Sequence, residues 1–145
     1  MCRILRSFLV IILCLLVPGT VYAGTLQQKL FKAKSYPGSR DRQYRVFVPS
    51  SFNGQDVVPM VMVLHGCQQT ELNMINETRF KDIAERENFI IVYPFITTYD
   101  GLRDVNCWGF FLDQHIHKGA GEVEDLRQIV LGGKLPSRST PIDVT

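Results

Sequence analysis

The 145-residue chain is most easily approached through what it lacks. It contains no internal repeat, low-complexity tract or heptad pattern, which excludes solenoid, fibrous and coiled-coil architectures. It has no excess of one charge. Arg3 and Arg6 belong to the first 23 residues, and the remainder carries 14 basic and 14 acidic side chains. That balance removes the electrostatic case for nucleic acid or an anionic membrane as partner. A membrane-spanning run is missing too. The longest apolar stretch, Phe8 to Val17, has ten residues, too few for a hydrocarbon core of about 30 Å.

That stretch has a different reading. Arg3 and Arg6 precede it, Pro18 and Gly19 break it, and Val21-Tyr22-Ala23 follows. This is the pattern of a signal peptide over residues 1–23, cut after Ala23, and it predicts a secreted protein, extracellular or periplasmic. An uncleaved anchor is the rival and fails on length. A lipid-modified Cys14 is disfavoured by the bulk of Leu13.

Cysteine is scarce. Cys2 and Cys14 leave with the leader, so Cys67 and Cys107 remain, and in an exported protein they read most simply as a disulfide. Closing a loop of that size stabilises by about 3–4 kcal/mol in the chain-entropy account. The alternative makes Cys67 a thiol nucleophile beside His65, although Gly66 interrupts the strand that would align the two. No cofactor motif is present and none is expected. His115 and His117 could bind a metal, but no third ligand completes a set, so no metal is expected.

What is present organises into one small α/β domain. Thr25 to Lys34 has no clear pattern. Gln43 to Val48 alternates polar and apolar residues and reads as a strand with one wet face. Asn53-Gly54 is a hairpin-type turn signal. Met60 to Leu64 is apolar throughout, as in a parallel strand covered on both faces. Phe80, Ile83 and Ala84 have helical spacing within Glu77 to Glu87, and Phe89 to Tyr93 is a second apolar strand stopped by Pro94. Strand, loop, helix, strand is a crossover unit and predicts parallel pairing. Ile96 to Gly121 is irregular. Glu122 to Leu131 reads as an amphipathic helix, with Val123, Leu126, Ile129 and Val130 on the apolar side and Glu124 and Asp125 as solvated charges. Residues 132–145 are breaker-rich and polar and read as a disordered or frameshifted tail.

The apolar run ending in Leu64-His65-Gly66-Cys67-Gln68-Gln69-Thr70 carries the chemistry. In serine hydrolases built on a parallel sheet, the loop after such a strand supplies a backbone N–H to the oxyanion hole. Together with Tyr93-Pro94, Asn106-Cys107-Trp108 and His115 through Gly119-Ala120-Gly121-Glu122, it resembles the secreted poly(3-hydroxybutyrate) depolymerase-type esterases. That group includes feruloyl and acetylxylan esterases of the α/β-hydrolase fold. The resemblance covers about residues 30–131. It implies that residues 24–131 are the N-terminal part of an α/β-hydrolase sheet, incomplete, acting on polyester or on acylated polysaccharide. It also implies a Cys67–Cys107 disulfide beside the site, backbone oxyanion donors at Cys67 or Gln68, and a substrate cleft lined by Trp108, Phe110 and Phe111. Plain core packing is the other reading of Trp108, and a turn-stabilising role is the favoured reading of His65.

Two departures stand out. Where the family has Cys-Trp-Asn-Trp-Phe, this sequence has Cys107-Trp108-Gly109-Phe110-Phe111. The Gly-x-Ser-x-Gly nucleophile turn, with its later Asp and His, does not occur among the 145 residues. The sequence therefore predicts a chain inactive alone, with an unpaired apolar edge at Met60 to Leu64 and poor solubility. A non-catalytic secreted fragment or small binding domain is the alternative. Asn76-Glu77-Thr78 is a glycosylation acceptor pattern if the export route is eukaryotic. Oligomeric state is left open by the sequence.

Overall fold

A computed structural model describes residues 24–97 and 105–132. The expected leader and most of the expected tail lie outside these residues. The elements run β1 (Thr25–Phe31), β2 (Arg42–Val48), β3 (Met60–Met62), α1 (Glu71–Glu77), α2 (Phe80–Glu87), β4 (Ile90–Pro94), a 3₁₀ turn (Asp113–His115) and α3 (Gly121–Gly132). The strands form one sheet in the order β1-β2-β4-β3. β1 pairs antiparallel with β2, β2 antiparallel with β4, and β3 parallel with β4. The predicted strand-helix-strand crossover is thus present, with its strands side by side.

Alternation along β2 divides the core between the two faces of the sheet. Tyr44, Val46 and Val48 join Phe31, Ile90, Val92 and, from α3, Ile129. Phe47, with Ile91 and Tyr93, packs against Ile75 of α1 and Ala84 of α2. Every residue of β4 is buried, which is why its sequence is apolar without a break.

Several expectations need correction. Thr25 to Phe31 is a full strand; its Gln27, Gln28 and Lys29 disguise it, yet it pairs with β2 over seven residues. Asn53-Gly54 does not close a hairpin, because β4 lies between β2 and β3. Instead Asn53 Oδ1 accepts from the Gln55 and Asp56 amides, a local Asx turn. The helix expected within Glu77 to Glu87 is present over Phe80–Glu87, but a second helix, Glu71–Glu77, precedes it and ends at Thr78, whose hydroxyl turns back to the Met74 carbonyl at 2.5 Å. Asn73 caps this preceding helix, its Oδ1 accepting from the Thr70 amide at 2.9 Å, a capping-box contact with Asn in place of Glu.

Met60 to Leu64 is not covered on both faces. The strand is three residues long and forms an edge of the sheet, with Val61 38% and Leu64 44% exposed. On α3 the expected pattern is partly inverted. Val123 and Val130 are 39% and 38% exposed, whereas Glu122, Glu124 and Asp125 are buried. The reading of Glu124 and Asp125 as solvated charges is therefore wrong, and the reason is specific. Asp125, with no exposed surface, accepts from Tyr36 Oη at 2.5 Å, Ser39 Oγ at 2.6 Å, the Arg40 amide at 3.2 Å and Arg42 Nε at 2.6 Å. Burial, followed by the hydrogen bond to Asp125, pushes the Tyr36 hydroxyl up to about 12. Glu124 is held below the usual carboxylate range by Gln128, the Gly119 amide and Arg127.

Among the described residues no helix is long and apolar enough to cross a membrane.

Candidate active-site turn

The parallel strand β3 delivers the chain to His65. The imidazole is buried, and both nitrogens are engaged: Nδ1 lies 2.8 Å from the Gly66 carbonyl, and Nε2 lies 3.2 Å from the Ile96 amide. A carbonyl requires a donor and an amide requires an acceptor, so the network assigns the neutral Nδ1–H tautomer. Burial lowers the pKa of the ring further. His65 is thus a strut between the turn after β3 and the segment after β4, as its turn-stabilising reading anticipates. With both nitrogens occupied it is poorly placed to act as a base for Cys67.

The next four residues form a β-turn. The Gln69 amide donates to the Gly66 carbonyl at 3.2 Å, and Gln68 has φ of 64°. A positive φ at the third position marks the type II family, costly for a residue other than Gly or Asn. The Gln69 side chain folds back so that its Oε1 accepts from the Gly66 amide at 2.8 Å. Gly66 and Gln69 therefore spend their amides inside the turn. Between them Cys67 and Gln68 are exposed, and among the described residues neither amide donates to a protein group.

Cys67 is joined to Cys107 across 40 residues. This ties the turn to the loop bearing Trp108, whose indole Nε1 donates to the His65 carbonyl at 2.9 Å. Its ring centroid lies 5.3 Å from that of His65, and Phe95 packs on the same imidazole at 5.7 Å. Trp108 is half-buried, so part of its role is packing. Phe110 and Phe111 are 72% and 56% exposed and meet edge to face at 5.4 Å. The structure thus sets Trp108 against the turn's histidine and leaves the two phenyl rings largely in solvent.

Several supporting residues were given no role by the sequence reading. Glu122, buried at the start of α3, accepts from the Gly109 amide at 2.5 Å and so holds the Trp108 loop from below. Phe95 braces His65. Gly109, the departure from the family pattern, leaves room for His115: a Cβ there would sit 2.6 Å from the His115 ring. Gly121 (φ 56°) allows the same buried imidazole and the Gln114 carbonyl to approach α3. The only sequence signal was position, since Glu122 follows Gly119-Ala120-Gly121. His115 is buried, while His117 is exposed and paired with Asp113 at 2.9 Å. The two do not converge, and among the described residues no cluster of three metal-ligand side chains forms.

Beside Phe95 a cavity of about 510 Å³ opens at this end of the sheet. Leu30, Gln43 and Phe95 line it as one cross-strand row: Leu30 lies opposite Gln43, and the Phe95 amide donates to the Gln43 carbonyl at 2.9 Å. Arg40, Asp41, Arg42 and Thr97 complete the lining.

The sequence profile of the family described as Esterase PHB depolymerase matches residues 42–133. Among solved structures, a ferulic acid esterase superposes with a TM-score of 0.54 at 22% identity, over 76% of this chain and 42% of that one. The S-formylglutathione hydrolase from Agrobacterium tumefaciens superposes with a TM-score of 0.50 at 17% identity, over 66% of this chain and 36% of that one. No curated protein matches the chain. The chain spans about two-fifths of the length of these two structures. The fold is accordingly that of the α/β-hydrolases in part, and the chain belongs to the Esterase PHB depolymerase family.

Proposed function

We propose that this chain is the oxyanion-binding portion of an exported serine carboxylic-ester hydrolase. The observation that carries the reading is the Gly66–Gln69 turn. The amides of two consecutive exposed residues, Cys67 and Gln68, lack an internal partner among the described residues, at the carboxyl end of a parallel strand. Ligands in α/β sheets bind at that end. An oxyanion hole works because its donors are fixed before charge develops on the carbonyl oxygen. Here the fixing is done by the Gly66–Gln69 contacts, the disulfide and the His65 strut. Family membership supports an ester as substrate, and the disulfide fits an oxidising compartment.

Attack on the ester requires a Ser nucleophile, a His base within hydrogen-bond reach and a carboxylate to orient that base. The 145 residues contain no Gly-x-Ser-x-Gly turn, so we assign nucleophile, base and orienting acid to polypeptide outside them. By this reading the 145 residues alone do not turn over an ester. Trp108, with Phe110 and Phe111, is assigned to the wall of the substrate cleft.

The test is hydrolysis of a short-chain nitrophenyl ester by the purified chain, with and without a serine-directed phosphonate. No turnover is expected. Turnover abolished by the phosphonate would show a reactive Ser within these residues and overturn the assignment.

A further inference from the structure

We infer that Glu85 is the receptor for a processed amino terminus: once the chain is cut between Ala23 and Gly24, the new α-ammonium of Gly24 pairs with the Glu85 carboxylate and fastens β1 to α2. This rests on the export reading above, in which residues 1–23 are removed, and is independent of the ester chemistry.

Gly24 is the residue before β1, and Thr25 stands opposite Val48 at the end of β2. Just past that end, Ser50 is gripped by α2. Glu85 accepts from the Ser50 amide at 3.1 Å through each carboxylate oxygen, and its Oε1 also accepts from the Ser50 hydroxyl. The carboxylate thus reaches across the end of β2 to the start of β1. A Cβ built on Gly24 would lie 2.6 Å from Glu85 Oε2, 2.5 Å from the Val48 carbonyl oxygen and 2.6 Å from Phe47 Cζ. The nitrogen and Cβ positions on one Cα are about 2.5 Å apart, so the Gly24 nitrogen lies within about 5 Å of both oxygens. The Val48 contact is with backbone, and any residue with a side chain here would have to displace the strand. Glycine is what lets the chain come this close.

Glu85 has donors but no cation. Among the described residues no basic side chain pairs with it, and the neighbouring arginines are committed elsewhere, Arg79 to Asp82 and Arg86 to Glu87. The donors of one serine satisfy oxygen lone pairs and leave the negative charge uncompensated. Glu85 is half-buried, where an opposite charge counts for more than in bulk water. In the uncut chain the Gly24 nitrogen is an amide and brings no charge. Hydrolysis by a leader-removing protease gives the hydroxyl of water to the Ala23 carbonyl and its hydrogen to the Gly24 nitrogen, and the amine so formed is protonated near neutral pH. One N–H of that ammonium faces Glu85, and the Val48 carbonyl can accept another. The pairing therefore forms only after processing, and it pins the end of a strand whose one neighbour in the sheet is β2.

The test uses the full 145-residue chain, expressed for export to the periplasm of a bacterial host. The intact mass of the exported protein is expected to match residues 24–145. Acetic anhydride at neutral pH then labels the α-amine, and the rate at the amino-terminal peptide is followed by mass spectrometry. An adjacent carboxylate holds the group as the unreactive ammonium, so the folded protein is expected to label about tenfold more slowly than the same protein in urea. Glu85→Gln keeps an acceptor for Ser50 and should bring the folded rate to within about twofold of the unfolded one. Glu87→Gln, on the same helix, should leave it slow. Circular dichroism confirms that each variant is folded, and the wild-type comparison stands without them. The inference is overturned if the exported protein begins at another residue, if folded and unfolded wild type label equally fast, or if Glu85→Gln labels as slowly as wild type. A missing cut refutes the export reading as well, whereas a correct cut with fast labelling refutes only the Glu85 pairing. Ester hydrolysis enters neither readout.

Discussion

Asp125→Ala removes one carboxylate that serves four donors, and the structure allows the cost to be worked out. Arg42 and Asp125 have side chains 1% and 0% exposed. Deleting one partner of such a pair leaves a buried charge uncompensated, at about 3–5 kcal/mol. Tyr36, Ser39 and the Arg40 amide lose their acceptor in the same step. In a domain of about 100 residues this corresponds to a melting temperature lower by about 12 °C or more, a large fraction of the 5–15 kcal/mol that holds a typical domain folded. The control is Asp82→Ala, which breaks the Arg79–Asp82 pair whose side chains are 87% and 62% exposed; an exposed pair of this kind is worth at most about 1 kcal/mol. Adding Arg42→Met to Asp125→Ala should recover at least about 1 kcal/mol, because the buried guanidinium that faced Asp125 is gone. Urea unfolding followed by circular dichroism measures all three. If Asp125→Ala costs less than about 1 kcal/mol, the Asp125 cluster is not a stabilising clasp and the reasoning fails.

Four further outcomes are expected. Reducing the Cys67–Cys107 bond should lower stability by about 3–4 kcal/mol, read as a shift of the urea midpoint, with a Cys67→Ser/Cys107→Ser variant insensitive to reductant. Glu122→Ala should cost about 1–3 kcal/mol by stranding the Gly109 amide and shift the emission of Trp108, the sole tryptophan, to the red; unchanged emission would remove Glu122 from the support of that loop. His65 has a lowered pKa, so the unfolded chain binds its proton more readily than the folded one. Its contribution is complete above about pH 6.5 and is lost as pH falls below that value; the slope of stability against pH between 5 and 7 should flatten in His65→Gln. Val61→Lys puts a charge on the exposed edge of β3 and should reduce self-association in light scattering; equal scattering would acquit that edge.

Legibility followed the range of the interactions. β4 could be read directly because burial in the middle of the sheet leaves an unbroken apolar run, and the His65-Gly66 turn could be read because it ends an apolar run. β1 could not, since Gln27, Gln28 and Lys29 satisfy an edge strand without announcing it. The buried acids of α3 were hidden for a different reason: the partners of Asp125 lie 83 to 89 residues away at Arg42, Ser39 and Tyr36. No local pattern distinguishes such a carboxylate from a solvated one. Of the site, the turn and the disulfide were visible, whereas the struts at Phe95 and Glu122 depend on tertiary contacts that short-range spacing does not encode.

β4 also sets a timetable for assembly. It lies between the first two strands and the edge strand β3, antiparallel to β2 and parallel to β3. Until Ile90 to Pro94 leave the ribosome, β1 and β2 can form only an isolated two-stranded ribbon, which is marginal in water, and Met60 to Met62 have no neighbour. During vectorial synthesis the nascent chain must therefore carry Met60 to Met62 unpaired for some thirty residues of elongation, before one late strand joins them to the first two.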